Sequence, residues 1–279
     1  QVTHKQRGIY DRLFASGAAI LTNSQFLRGR LLDYGAPTER LAVVRLAAAP
    51  QFHAASWEPA PSEKVLLSIA RLVPKKGIED SIAAFARAQD VLRGEWRYEI
   101  IGDGPLRAKL VATAEAAGVG GLVRFRGVAS RAATLEALRR ASVFVLASKP
   151  APNGDTDGTP VSVIEAAAVG LPVISTVQAG IPEILPREAE AEGFLVEPGD
   201  VAGLAATLSR LAADGQLRQR WGDACRAHAG ANHTPSVHIE ELLAAIAIAT
   251  RPPSLARRNA PASRSIERAG PVSPTSAVW

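Results

Sequence analysis

The chain has 279 residues, 47% of them hydrophobic, enough for a sizeable core in one large domain or two small ones. No apolar run reaches the roughly 18 residues of a membrane-spanning helix, and the start Gln1-Val2-Thr3-His4-Lys5-Gln6-Arg7 lacks the apolar core of a signal peptide, so a soluble cytoplasmic protein is expected. The net charge of +5 does not point to nucleic acid, because acids outnumber bases 21 to 20 over residues 64–250, while residues 251–279 carry five Arg and one acid. That basic tail is rich in Pro, Ser and Ala and is expected to be disordered, with contact to an anionic membrane surface as its functional alternative. The one cysteine, Cys225, excludes an internal disulfide and suits a reducing compartment. The chain has no methionine and begins with Gln, which predicts that Gln1 is not the start of the gene.

In chain order, the pattern predicts a helix over Lys5–Phe14, a strand over Ala18–Thr22, a helix over Ser24–Tyr34 stopped by Gly35, and a strand over Leu41–Arg45. Residues 1–46 thus read as the remnant of a Rossmann-like domain. The Ala- and Pro-rich stretch 47–63 has no periodicity and reads as an interdomain linker. From Lys64 to residue 250, short apolar runs alternate with helical patterns, the signature of a parallel sheet covered by helices on both faces. Strands are expected at Val65–Ala70, Trp96–Ile101, Leu122–Phe125, Ser142–Ala147, Pro172–Ser175 and Phe194–Val196. Helices are expected at Glu79–Gln89, Pro105–Ala117, Ala132–Ala141, Val161–Val169, Asp200–Ala213, Gln216–Ala229 and Ser236–Ala249, the last strongly amphipathic.

Ligands of open parallel sheets sit at the carboxyl ends of the strands, so the loops there carry the chemistry. The loop Ala70-Arg71-Leu72-Val73-Pro74-Lys75-Lys76-Gly77 places three cations at a strand end, as binding of a diphosphate requires. Gly158-Thr159-Pro160 precedes the apolar run Val161–Ala168 and reads as a helix entrance, where free N–H groups and the dipole favour an anion. Asp157 in that loop and Glu165 in the helix, eight positions on, are placed to grip hydroxyls of different parts of one ligand. A nucleotide sugar has that layout.

Other signals are weaker. Ile101-Gly102-Asp103-Gly104-Pro105 lacks the spacing of a nicotinamide dinucleotide fingerprint, and its glycines read as serving a tight strand-to-helix connection. Asp155-Thr156-Asp157 has the D-x-D form that holds a metal in other sugar-nucleotide enzymes, which competes with the metal-free reading. His228, His233 and His238 recur every five residues, a spacing that scatters them over different helix faces rather than gathering metal ligands. Cys225 lies in an apolar helix and reads as core.

Several strings together resemble the C-terminal, donor-binding half of retaining glycosyltransferases of family 4, which have the GT-B fold. They are Arg71-Leu72-Val73-Pro74-Lys75-Lys76-Gly77, Gly102-Asp103-Gly104-Pro105, Asp157 to Glu165, Gly170-Leu171-Pro172 and Gly180-Ile181-Pro182-Glu183, within about Val65 to about Ile246. The Gly-Thr-Pro string and the long loop before it are similar to colanic-acid-type exopolysaccharide enzymes. Where relatives carry a Gly-Val-Asp turn, this chain has Ala47-Ala48-Ala49-Pro50. The resemblance implies that Arg71 and Lys76 bind the donor's diphosphate, with Lys75 facing solvent. It places Gly127 and Val128 at the base, Asp157 at the transferred sugar in place of the usual Glu, and Glu165 on the ribose. The implied reaction is transfer of a hexose from a UDP- or GDP-sugar to a glycan or lipid-linked acceptor with retention, without metal or cofactor, in exopolysaccharide synthesis. An N-terminal acceptor domain is the implied partner. A non-catalytic nucleotide-binding fragment and a GT-B nucleotide-sugar epimerase are the alternatives.

Overall fold

The computed structural model describes residues 4–59 and 64–250, so the expected disorder of the basic tail falls outside the described residues. The chain opens with α1 (His4–Ala15), β1 (Ile20–Thr22), α2 (Gln25–Asp33) and β2 (Leu41–Val43), with β1 and β2 paired in parallel. Ser24 caps α2, its hydroxyl accepting from the Leu27 N–H. Within the expected interdomain linker 47–63, of which residues 60–63 lie outside the described residues, the chain forms α3 (Pro50–Ala54) and buries Ala48 and Phe52 in the core of the larger unit. Pro50 at its first position pre-sets the helical φ. Five residues are too short to show a period.

The larger unit follows the predicted alternation: β3 (Lys64–Ile69), α4 (Ile78–Arg87), α5 (Gln89–Leu92), β4 (Trp96–Ile101), α6 (Arg107–Ala116), β5 (Val123–Gly127), α7 (Arg131–Arg140), β6 (Val143–Val145), α8 (Val161–Val169), β7 (Val173–Thr176) and β8 (Leu195–Val196). Three helices follow, α9 (Val201–Ala213), α10 (Gly215–Asn232) and α11 (Pro235–Ala249). Asp200, Asp214 and Thr234 accept N–H bonds at their starts. The Gly180-Ile181-Pro182-Glu183 string yields only a short 3-10 turn, since Pro186 disfavours helical backbone at the residue before it.

All six strands pair in parallel in the order β5-β4-β3-β6-β7-β8. The strands read as almost continuous apolar runs because helices cover them: α4 packs with α6 and α9, and α8 with α3, α7 and α10. Leu66, Tyr98, Ile100, Phe144 and Ile174 fill the sheet layer. The Tyr98 hydroxyl keeps a partner in Ser68 Oγ at 2.8 Å, and burial pushes its pKa up to about 12. Helix α11 leaves this body to pack on β2 and the turn before it, and its Ile239, Leu243 and Ile246 stay half exposed or more.

Candidate functional site

In this strand order the connections run outward in opposite directions from β3 and β6, and the crevice outside their carboxyl ends is where doubly wound sheets take ligands. The two loops that flank it interlock. The Lys149 N–H donates to the Lys75 carbonyl at 3.0 Å, and Gly77, at φ +59°, lies so close to β6 that an added Cβ would stand 1.7 Å from the Ala147 carbonyl oxygen. The loop after β4 is equally tight: a Cβ at Gly102 would lie 1.9 Å from the Ala70 carbonyl oxygen. The glycines expected to serve a tight strand-to-helix connection thus also let that loop press against the backbone of Ala70 and Leu72.

The acids of the loop before α8 are already paired with lysines. Asp157 is 7% exposed and accepts from Lys76 Nζ at 2.6 Å and from Ser148 Oγ at 2.9 Å. Lys75, expected to face solvent, is instead bonded to Asp155 at 3.0 Å and to the Thr156 carbonyl at 3.4 Å. Both acids of the D-x-D triplet are thus each held by a lysine. Among the described residues no group of three His, Cys, Asp or Glu side chains is placed to share a metal ion. Arg71 is exposed and lines, with Pro74, Lys75, Pro152 and Asp155, a cavity of about 410 Å³ beside the pair.

Gly158, Thr159 and Pro160 lead directly into α8, which starts without a side-chain cap. Its first N–H groups and dipole are therefore available to an anion. Glu165 follows in the helix, half-buried and with no hydrogen bond among the described residues. Burial holds its carboxyl above the usual range, and the nearby Arg131 charge only partly offsets this. A half-buried carboxylate without a protein partner is poised for a ligand hydroxyl. Gly127, at φ +73°, and Val128, 82% exposed, lie apart from this cluster at the end of β5, on the far side of β4.

The structure therefore joins Lys76 and Asp157, which the sequence assigns to different parts of a ligand, and adds Ser148 and Lys75. Ser148 is the first polar residue after the apolar run of β6, and that break was the available signal. Thr159 Oγ1 is buried without a partner, which no sequence feature foretold.

The three spaced histidines are backbone clamps. The His228 ring bonds the Glu183 carbonyl at 3.1 Å and ties α10 to that turn, His233 Nδ1 bonds the Leu46 carbonyl at 2.8 Å and stitches the strand exit after β2 to the larger unit, and His238 Nδ1 bonds the Arg45 carbonyl at 2.6 Å and ties α11 to the same exit. Burial is the main cause that keeps His228 and His233 below their ordinary value of 6.5, with the Arg45 charge acting the same way. Depressed bases stabilise the fold fully above that value and lose the contribution as protonation sets in below it. The melting temperature should stay level from pH 8 to 7 and fall towards pH 5, and His233→Asn, which keeps a donor but does not titrate, should flatten that slope.

Comparison with known proteins agrees with this architecture. The family described as "Glycosyl transferases group 1" matches residues 51–228. The chain belongs to this family. It is 36% identical over 203 residues to the amylovoran biosynthesis glycosyltransferase AmsK of Erwinia amylovora, covering 72% of this chain and 49% of that one. To the putative colanic acid biosynthesis glycosyltransferase WcaL of Escherichia coli it is 36% identical over 210 residues, 75% of this chain and 50% of that one. The chain spans about half the length of these relatives. Among solved structures, Anabaena HepE in complex with UDP and glucose superposes with a TM-score of 0.69 at 19% identity, over 82% of this chain and 63% of that one. WaaG, a glycosyltransferase involved in lipopolysaccharide biosynthesis, gives 0.65 at 21%, over 89% and 69%. These likenesses place the larger unit in the GT-B fold. No helix among the described residues is long and apolar enough to cross a membrane.

Proposed function

We propose that this chain supplies the donor-binding half of a retaining glycosyltransferase that takes a nucleoside diphosphate sugar, of UDP or GDP type, without a metal ion and serves the assembly of an exopolysaccharide or other cell-surface glycan. The observation that carries the reading is the crevice itself. The uncapped start of α8, the unpartnered Glu165 and the Lys76–Asp157 pair converge on the loops that flank the switch point of the sheet. The names of AmsK and WcaL support the product class, and a solved relative in complex with UDP and glucose supports the donor class.

In this reading the diphosphate lies over the start of α8 with Arg71 beside it, the ribose hydroxyls meet Glu165, the base reaches Gly127 and Val128, and the sugar meets Asp157. Departure of the nucleoside diphosphate builds negative charge, which Arg71, Lys76 and the helix dipole stabilise more in the transition state than in the ground state. The carboxylate at the sugar, Asp157, is engaged by Lys76 and Ser148 rather than free to attack, so attack by the acceptor hydroxyl from the departing face, with retention, is the fitting route. A glycan or lipid-linked acceptor would be held against the donor by groups beyond those described.

Calorimetry with UDP and with GDP in the presence of EDTA tests the donor reading. Binding of one of the two without metal is the expected result. Binding that requires added Mn²⁺ would transfer the role to Asp155 and Asp157 as metal ligands and overturn the metal-free assignment.

A further inference from the structure

The carboxylate of Glu183 is occupied in a way that the donor reading does not use. Its two oxygens accept from the backbone N–H groups of Gln25 at 2.7 Å and Phe26 at 2.8 Å, 158 and 157 positions away in sequence. These are the first two helical residues of α2, and the third N–H, that of Leu27, goes to Ser24 Oγ. Three of the four N–H groups that a helix start leaves unpaired are thereby satisfied, two of them by a distant acid whose charge also suits the helix dipole.

The same turn that carries Glu183 rests on the loop before α8. The Gly180 N–H donates to the Gly158 carbonyl at 3.0 Å. A Cβ on Gly180 would lie 2.9 Å from that carbonyl oxygen, 2.9 Å from Ser24 Cβ and 3.0 Å from Thr159 Oγ1, so the turn, the N-cap of α2 and the Gly158-Thr159 loop meet at one point. The far side of the turn is fixed as well, since the Glu183 carbonyl accepts from His228. A shift of α2 therefore moves Glu183, and a shift of Glu183 moves the backbone next to Asp157.

We propose that Glu183 is a positioning residue that couples the seating of α2 to the shape of the loop at Asp157, Gly158 and Thr159. The mechanical coupling stands on these contacts alone; its consequence for sugar binding rests on the function proposed above. Seating α2 on the Glu183 carboxylate holds the Gly180 turn, and with it the Gly158 carbonyl, in the position that brings Asp157 against Lys76. The nucleotide contacts of Arg71 and Glu165 lie outside this chain of bonds.

The test uses the whole chain with Glu183→Ala, Gly180→Ala and Ser24→Ala. Hydrogen exchange is read at Gln25 and Phe26 and across 157–162, and affinity is measured for UDP, UDP-glucose, GDP and GDP-mannose. Glu183→Ala is expected to speed exchange at both places and to weaken the nucleotide sugar roughly tenfold, the equivalent of one charge-assisted hydrogen bond, while the bare nucleotide, held by Arg71 and Glu165 as well as by the start of α8, loses less. Ser24→Ala, which removes a cap of the same helix but keeps the Cβ that packs on the turn, should speed exchange in α2 alone. A Glu183→Ala profile confined to α2, or an equal loss for nucleotide and nucleotide sugar, would reduce Glu183 to an ordinary cap and overturn the proposal. Should Glu183→Ala fail to fold, Gly180→Ala must disturb both places together for the proposal to stand, and disturbance of one alone sinks it. If the unaltered chain binds no nucleotide, the donor reading falls while the exchange pattern still decides the coupling.

Discussion

Gly77→Ala is expected to be among the most damaging single-methyl changes, costing about 4 kcal/mol or more, which is a large part of the roughly 5–15 kcal/mol that holds a domain folded. Two causes combine. The residue sits at φ +59°, where an L side chain costs about 1–2 kcal/mol, and the new Cβ would stand 1.7 Å from the Ala147 carbonyl oxygen. That oxygen belongs to the backbone leaving β6, in the middle of the sheet, where the Leu146 N–H is bonded to Ile174 at 3.1 Å. It cannot step aside without opening the pairing on which Lys76 and Asp157 depend. A fall in melting temperature on the order of 10 °C is expected for a unit of this size, together with loss of nucleotide binding. Gly118→Ala is the control, because Gly118 has φ +73° but nothing within 4 Å of a Cβ, and only the backbone cost of about 1–2 kcal/mol applies. If the two variants melted alike, the close approach of the loops after β3 and β6 would not constrain the crevice.

The sheet was legible because its strands are short apolar runs between long helical patterns, and Trp96–Ile101 and Val161–Val169 were readable to the residue. What stayed hidden depends on contacts between distant segments. Helix α3 is five residues long and is held by Phe52 in a core made elsewhere, so no local period announces it. The identity of the cations in the first loop was readable, but their partners were not: Lys75 and Lys76 meet acids 80 and 81 positions away, and nothing in a one-dimensional pattern says that an acid and a base will share a bond. The histidines show the same limit from the other side. Their spacing read as scattering them, yet the His228 and His233 rings lie 6.0 Å apart, and the partners of all three are backbone carbonyls, which a sequence does not display.

Glu165 and Asp157 should respond to mutation in opposite ways, because one carboxylate has no partner and the other has two. Glu165→Ala removes the acceptor for a ribose hydroxyl, a charge-assisted bond worth roughly 1.5–3 kcal/mol, so nucleotide affinity should fall about tenfold or more by calorimetry. The folded chain itself should not suffer. Burial raises the pKa of Glu165 above its ordinary 4.5, so its contribution to folding is fully present below that value and is lost as the pH rises through the raised one. At neutral pH the ionised side chain opposes folding, and Glu165→Gln should melt higher than the unaltered chain there while binding nucleotide less well. Asp157→Asn should do the reverse. It removes the charge that pairs with a largely buried Lys76 and lowers the melting temperature, yet it leaves that lysine's charge for a diphosphate, so affinity for the bare nucleotide should hold or rise. Affinity for the intact nucleotide sugar should drop, since the charged acceptor that meets the sugar is gone. Equal losses for nucleotide and nucleotide sugar in both variants would show that the two carboxylates do not divide the donor between them, and a lower melting temperature for Glu165→Gln at pH 7 would show that Glu165 has a structural partner.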